Sequence, residues 1–142
     1  MKATVLRTAG AIAAGIAITM VLVVAVEFFS SIVHPFPEDF DGSLEEMAEH
    51  VERYPHWVLA VVVVAWGFTA LAATWTAGRL GNRGSAAFIG VLLLAAVVFN
   101  IAQLPYPLWF TITCPIVILL AAAAGWWWSD RRLAALRRTS DQ

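Results

Sequence analysis

Hydrophobic residues along this chain fall into four long blocks, separated by short polar stretches and followed by a basic tail. The first block, Thr8 to Val33, is 26 residues long and holds one acid, Glu27. The others are His56 to Gly78, Ala86 to Leu104 and Leu108 to Trp128. A membrane core about 30 Å thick needs about 20 apolar residues of helix to cross it. Each block meets that length, the third only just. The pattern predicts an all-α protein, a four-helix transmembrane bundle in one membrane domain over residues 1–142. Its spans are expected at about 8–33, 56–78, 86–104 and 108–128.

The breaks have physical causes. Pro35 and Pro37 lack the amide hydrogen and disfavour helix in the residue before them, which ends the first span near His34. Between Glu38 and Pro55 lies the longest polar stretch. Ser43 followed by Glu46 fits a capping box, predicting a short helix at about 44–53. There Leu44, Met47 and Val51 recur at helical spacing. Glu45, Glu49 and Glu52 take the other side, and His50 is assigned to that exposed side. Such an acidic amphipathic helix lies on the membrane surface or across the mouth of a bundle. Arg79 to Ser85 reads as a basic turn, Pro105-Tyr106-Pro107 as a very short one, and Pro115 as a kink inside the last span. A secretory signal would have a shorter apolar core ending in a small-x-small site. Val24-Ala25-Val26-Glu27-Phe28-Phe29 offers no such site, so the first span is expected to be retained.

Charge adds an orientation. Only 13% of the residues are charged against 61% hydrophobic, and the charges are sorted by position. Lys2, Arg7, Arg79, Arg83 and the tail arginines fall on one side, while residues 38–52 carry seven acids on the other. By the positive-inside rule both termini and the 79–85 turn face the cytoplasm, and the acidic loop 35–55 lies outside. Trp57 and Trp109 then mark the outer interface, and Trp75 with Trp126, Trp127 and Trp128 the inner one. Arg131, Arg132, Arg137 and Arg138, with Leu133 and Leu136 between them, suit anionic headgroups and also fix topology. So few basic residues, placed beside apolar ends, exclude nucleic acid as a partner. The single cysteine, Cys114, excludes an internal disulfide and reads as a packing residue.

Candidate chemistry gathers around Glu27, because a carboxylate inside a span needs a partner or water. Ser30, Ser31 and His34 follow at i+3, i+4 and i+7, on the same face. Asn100, Gln103 and Tyr106 share a face of the third span, and Thr111 shares one with Cys114 in the fourth. All sit in the outer third, so an antiparallel bundle can converge them on one outward-opening polar cup. The candidate ligand-binding set is Glu27, Ser31, His34, Asn100, Gln103 and Thr111. The alternative is that Glu27 bonds Asn100 or Gln103 as interhelical glue with no ligand. Ala11 and Gly15, four apart, allow a neighbouring helix to approach closely. No metal site is expected, since Glu27, His34 and His56 lack metal-binding spacing on one helix. Asp39, Asp41 and Ser43 begin like a calcium loop, but Leu44 and His50 stand at its sixth and twelfth positions. No cofactor motif and no nucleophile–base pair are visible, which leans against an enzyme.

From Gly78 to Trp128 the chain has a Gly- and Arg-containing turn (Gly78-Arg79, Arg83), a Gly-containing third span, a short proline turn and Leu108-Trp109-Phe110 opening the last span. In this it resembles small uncharacterised bacterial four-span membrane proteins. The resemblance implies the fold and carries no activity; the expected location of the chain is a bacterial cytoplasmic (inner) membrane. Two functions remain open. One is an interaction or accessory subunit, or a self-associating bundle, with the lipid bilayer, further copies or other membrane proteins as partners. The other is an outward-facing protein that binds or transports a small ligand, lipid or cation through the cup around Glu27.

Overall fold

The computed structural model describes residues 2–140, with side chains over 2–129, and within these it contains helix and no strand. Helix α1 runs Lys2–Val33, α2 Leu44–Glu52, α3 His56–Leu80, α4 Arg83–Gln103 and α5 Leu108–Ser140. Helices α1, α3, α4 and the Leu108–Ser129 part of α5 are each long and apolar enough to cross a membrane. The architecture is the four-helix bundle expected of a multi-pass membrane protein, with α2 as the short extra helix.

The helices run further than the apolar blocks. Nothing between Lys2 and Arg7 breaks a helix, so α1 begins ahead of Thr8, and Arg7 Nε donates to the Leu80 carbonyl at 2.8 Å. The basic turn contracts to Gly81 and Asn82. Gly81 closes α3 by donating to the Ala77 carbonyl at 3.0 Å, and the Asn82 side chain caps α4 by accepting from the Ser85 amide at 3.0 Å. The same side chain donates to Thr8 Oγ1 at 3.0 Å, which ties the start of α1 to this turn. Helix α5 continues through Pro115 and past Trp128. Arg131, Arg132, Arg137 and Arg138 fall on that extension, and their side chains, with the headgroup contacts expected of them, lie outside the described residues.

Helix α3 is the centre of the bundle. It packs against α1, α4 and α5, and α4 likewise touches α1, α3 and α5, while α1 and α5 do not meet among the described residues. The section is therefore a rhombus with α3 and α4 on its short diagonal. In the most apolar stretch of α3, 44% is buried, against 17% in α1 and 22% in α4 and α5, so α3 is the one span walled in by protein. The others present most of their surface outward, as lipid-facing helices do.

Small residues let the backbones approach. Gly15 of α1 lies under Ile89 and Ala77, and Ala11 lies against Gly81, so this small-residue face of α1 is used inside the molecule. Gly125 of α5 sits on Thr74 and the Leu71 carbonyl of α3. Thr74 is fully buried, and its hydroxyl donates to the Ala70 carbonyl one turn back at 2.6 Å, which removes the cost of an unpaired polar group. A larger apolar cluster fills the other end of the bundle. It is built from Val58, Leu59, Val62 and Val63 of α3 with Phe110, Cys114 and Ile118 of α5. Cys114 is fully buried in it.

Candidate functional site

At the end of the bundle that carries the acidic segment, the four spans do not close. A cavity of about 280 Å³ remains there, walled by Glu27 and Ser30 of α1, by Leu59, Val62 and Trp66 of α3, and by Asn100 and Leu104 of α4. Phe110 and Tyr106 complete the wall from the α5 side. Helix α2 and its flanks form the roof through Phe36, Met47, His50, Val51 and Tyr54.

The roof is built locally. Ser43 caps α2 by accepting from the Glu46 amide at 3.2 Å, and the Glu46 carboxylate reaches back to the Asp41 amide at 2.6 Å. This is the expected capping box with its return bond moved two residues upstream. The buried face of α2 differs from the expected one. Leu44 is exposed, while His50 and Val51 are buried. His50 therefore faces inward, a correction to its exposed assignment, and its neighbours supply the reason. Its ring stacks on His34 at 4.3 Å and on Phe36 at 4.2 Å, and meets Tyr54 edge-on at 5.3 Å. His34 Nε2 donates to the His50 carbonyl at 3.2 Å, which joins the end of α1 to α2. Aromatic contact, invisible to a count of aliphatic positions, sets the rotation of this helix.

Burial lowers the pKa of His50 below its ordinary 6.5, and the neighbouring His34 and Arg53 lower it further. Asp39, Glu46 and Glu49 line the crevice beside it and do not reverse that direction. A histidine held neutral in the folded state contributes fully above its unfolded pKa, and its contribution is lost as pH falls. Docking of α2 is thus expected to be firm above about pH 6.5 and to loosen below it. Amide exchange across Leu44–Glu52, corrected for intrinsic rates, should speed up between pH 7.5 and pH 5. The effect should vanish in His50→Phe, which keeps the stack. Equal protection at both pH values, or a persisting pH effect in the variant, contradicts this role of His50.

Of the six candidate residues, Glu27 and Asn100 line the cavity. Ser30 stands where Ser31 was expected: it is buried on the wall, while Ser31 is exposed and donates to its own helix at Phe28 O, 2.8 Å away. One residue is about 100° of helical rotation, enough to exchange wall for outside. His34 braces the roof and is not part of the lining. Gln103 is exposed and off the wall. Thr111 spends its hydroxyl on the Pro107 carbonyl at 3.3 Å. His56 rests near Trp109, with ring centroids 6.0 Å apart. Among the described residues no group of three His, Cys, Asp or Glu side chains converges on a point.

Several wall residues were not picked out from the sequence: Tyr54, Trp66, His50 and Phe36. Trp66 had a signal, since it lies in the middle of a span while the other tryptophans mark the edges. Its Nε1 is buried without a hydrogen-bond partner, as is His50 Nε2. A buried donor left unpaired costs about 1–3 kcal/mol. Among the described residues no side-chain hydrogen bond involves Glu27 or Asn100, so the carboxylate is not tied to Asn100 or Gln103. Burial raises the pKa of Tyr54, a hydrogen bond with Ser30 opposes it in part, and the Glu27 charge adds a smaller push upward. Tyr106 is raised more strongly, by burial first and then by Glu27, Tyr54 and Cys114. Both phenols therefore stay protonated at neutral pH and keep a hydrogen to donate.

No protein-family model, curated protein or solved structure matches this chain.

Proposed function

We propose that this protein binds a small polar ligand or lipid headgroup in the cup around Glu27, at the outer face of a bacterial cytoplasmic membrane. In this reading both termini are cytoplasmic, as the basic residues at that end favour, and the acidic α2 segment is outside. One observation carries the reading. The carboxylate of Glu27 and the amide of Asn100 share a cavity without bonding each other or any described residue. Glu27 is exposed and Asn100 half-buried; within a membrane span such groups need a partner or water, and a set left open around one space is one that a bound molecule completes. The cavity is slightly smaller than the roughly 300–1,000 Å³ of drug-sized pockets, which suits a small group. An accessory-subunit role would need a face other than Ala11 and Gly15, which pack against the chain's own α3, α4 and the turn between them.

The test is native mass spectrometry of the protein released gently from its own membrane. Wild type should carry a small-molecule or lipid adduct. Asn100→Phe, which fills the cup, should lower its occupancy about tenfold or more. A bare wild-type mass, or an adduct unaffected by the substitution, rejects the binding cup. A mass that includes other polypeptides and no small adduct favours the accessory subunit.

A further inference from the structure

Resting on that binding reading, we infer that the cup takes an alkylammonium group, packed among aromatic rings and neutralised by Glu27. The charge of the wall points this way. Glu27 is its one acid, and no lysine or arginine lines it. Its histidine, His50, is held toward the neutral form by burial. The rest of the polar lining is Ser30, Asn100 and two phenols.

The rings point the same way. Tyr54, Trp66, Tyr106 and Phe110 line the cavity, while Phe36 and His50, also on its wall, spend their faces on stacking with Phe40, His34 and each other. Aromatic faces carry negative charge density and attract a cation, most strongly where water is excluded. A hydrated metal ion does not fit this wall. Calcium takes about 6–8 oxygen ligands and magnesium an octahedral set, whereas one carboxylate with scattered neutral oxygens offers neither. A carbon-bearing cation suits it, since its methyl or methylene groups gain from ring contact while its charge meets Glu27. Asn100 and the Tyr54 and Tyr106 phenols, which line the same cavity, add donors for an oxygen acceptor on the same molecule. The expected ligand is therefore an alkylammonium with a nearby hydroxyl or phosphate oxygen. Two sources share that chemistry: a free amino alcohol, and the headgroup of a zwitterionic phospholipid. The position of the cup suits either, because Trp57 and Trp109 mark the same end of the bundle at the depth of headgroups.

The protein is placed in nanodiscs of phosphatidylglycerol, and binding of choline chloride and ethanolamine hydrochloride is measured by calorimetry. Sodium chloride, sodium acetate and sodium phosphate serve as comparison salts. In a second arm, nanodiscs contain phosphatidylglycerol and phosphatidylethanolamine in equal parts, and the lipid that stays bound is identified by native mass spectrometry. Saturable binding of the free amines assigns a soluble ligand, and selective retention of phosphatidylethanolamine assigns a lipid. Either result supports the inference if Glu27→Gln weakens it by roughly tenfold or more. Trp66→Leu, which removes a ring face and leaves the carboxylate, should weaken it as well. It also provides the decisive variant if Glu27→Gln fails to fold, as judged by helicity and melting without probe. Binding of acetate or phosphate that Asn100→Phe blocks and Glu27→Gln does not would overturn the alkylammonium and leave the cup standing. Absence of binding by every probe, together with a bare native mass, would overturn both.

Discussion

Gly125→Leu is expected to separate α5 from α3 and to give the largest loss of stability of any single substitution considered. A Cβ at Gly125 would meet Thr74 Oγ1, stand 2.7 Å from the Leu71 carbonyl oxygen and 3.0 Å from the Trp75 amide nitrogen. Two of those three atoms belong to the α3 backbone and cannot swing aside. Overpacking a core usually costs about 1–3 kcal/mol, and a clash with backbone belongs at the top of that range or above it. The midpoint of thermal unfolding should then fall by roughly 10 °C or more. Gly10→Leu is the control, because nothing lies within 4 Å of a Cβ there. It should melt like wild type. A Gly125→Leu protein with an unchanged midpoint would mean that α3 and α5 do not meet as described.

The second large effect is expected at Gly15. A Cβ there would stand 2.9 Å from Ile89 Cγ1 and 3.2 Å from the Ala77 Cβ. The first is a flexible side chain and the second is not, so Gly15→Leu should push α1 away from both α3 and α4. Its expected cost is about 1–3 kcal/mol, somewhat below that of Gly125→Leu. Because Glu27 rides on the same helix, about 18 Å along it, the cup should lose its acidic wall as α1 moves. The expected result is a lower unfolding midpoint with loss of the native adduct, and no change in the number of chains per particle. If the variant altered only self-association and kept both midpoint and adduct, this face of α1 would be an interface between copies.

Much of this architecture was legible in the sequence. Length and apolarity identify four spans, and the proline pairs, Gly81 and the Ser43 cap mark most of their ends. Which helix sits in the middle was not legible, because each span is apolar all round and offers no polar stripe to show its outer face. The centrality of α3 follows from Gly67 and Gly78 meeting side chains of other helices and from Thr74 fitting against Gly90 and Gly125, and such pairing is a property of the fold. The site was legible in its chemistry and imprecise in its membership. Glu27 and Asn100 were found because strongly polar side chains in a span are conspicuous. Ser30 and Ser31 differ by one step of rotation, which spacing alone does not resolve until the direction of the neighbouring helices is known. Tyr54, Trp66 and His50 were missed for a different reason. Aromatic residues near membrane edges have an ordinary role as interface anchors, and their convergence on one cavity depends on a roof helix whose rotation is set by ring stacking.

The measurement that bears most directly on the binding cup is a crystal structure grown in a lipid mesophase from protein never stripped of its native lipids. The expected result is a bound molecule in the cavity, its polar groups against Glu27 and Asn100 and the roof helix closed over it. A collapsed cavity, with the Glu27 carboxylate bonded to Asn100 and Trp66 Nε1 paired inside the protein, would contradict it and make the acid a fastener between helices.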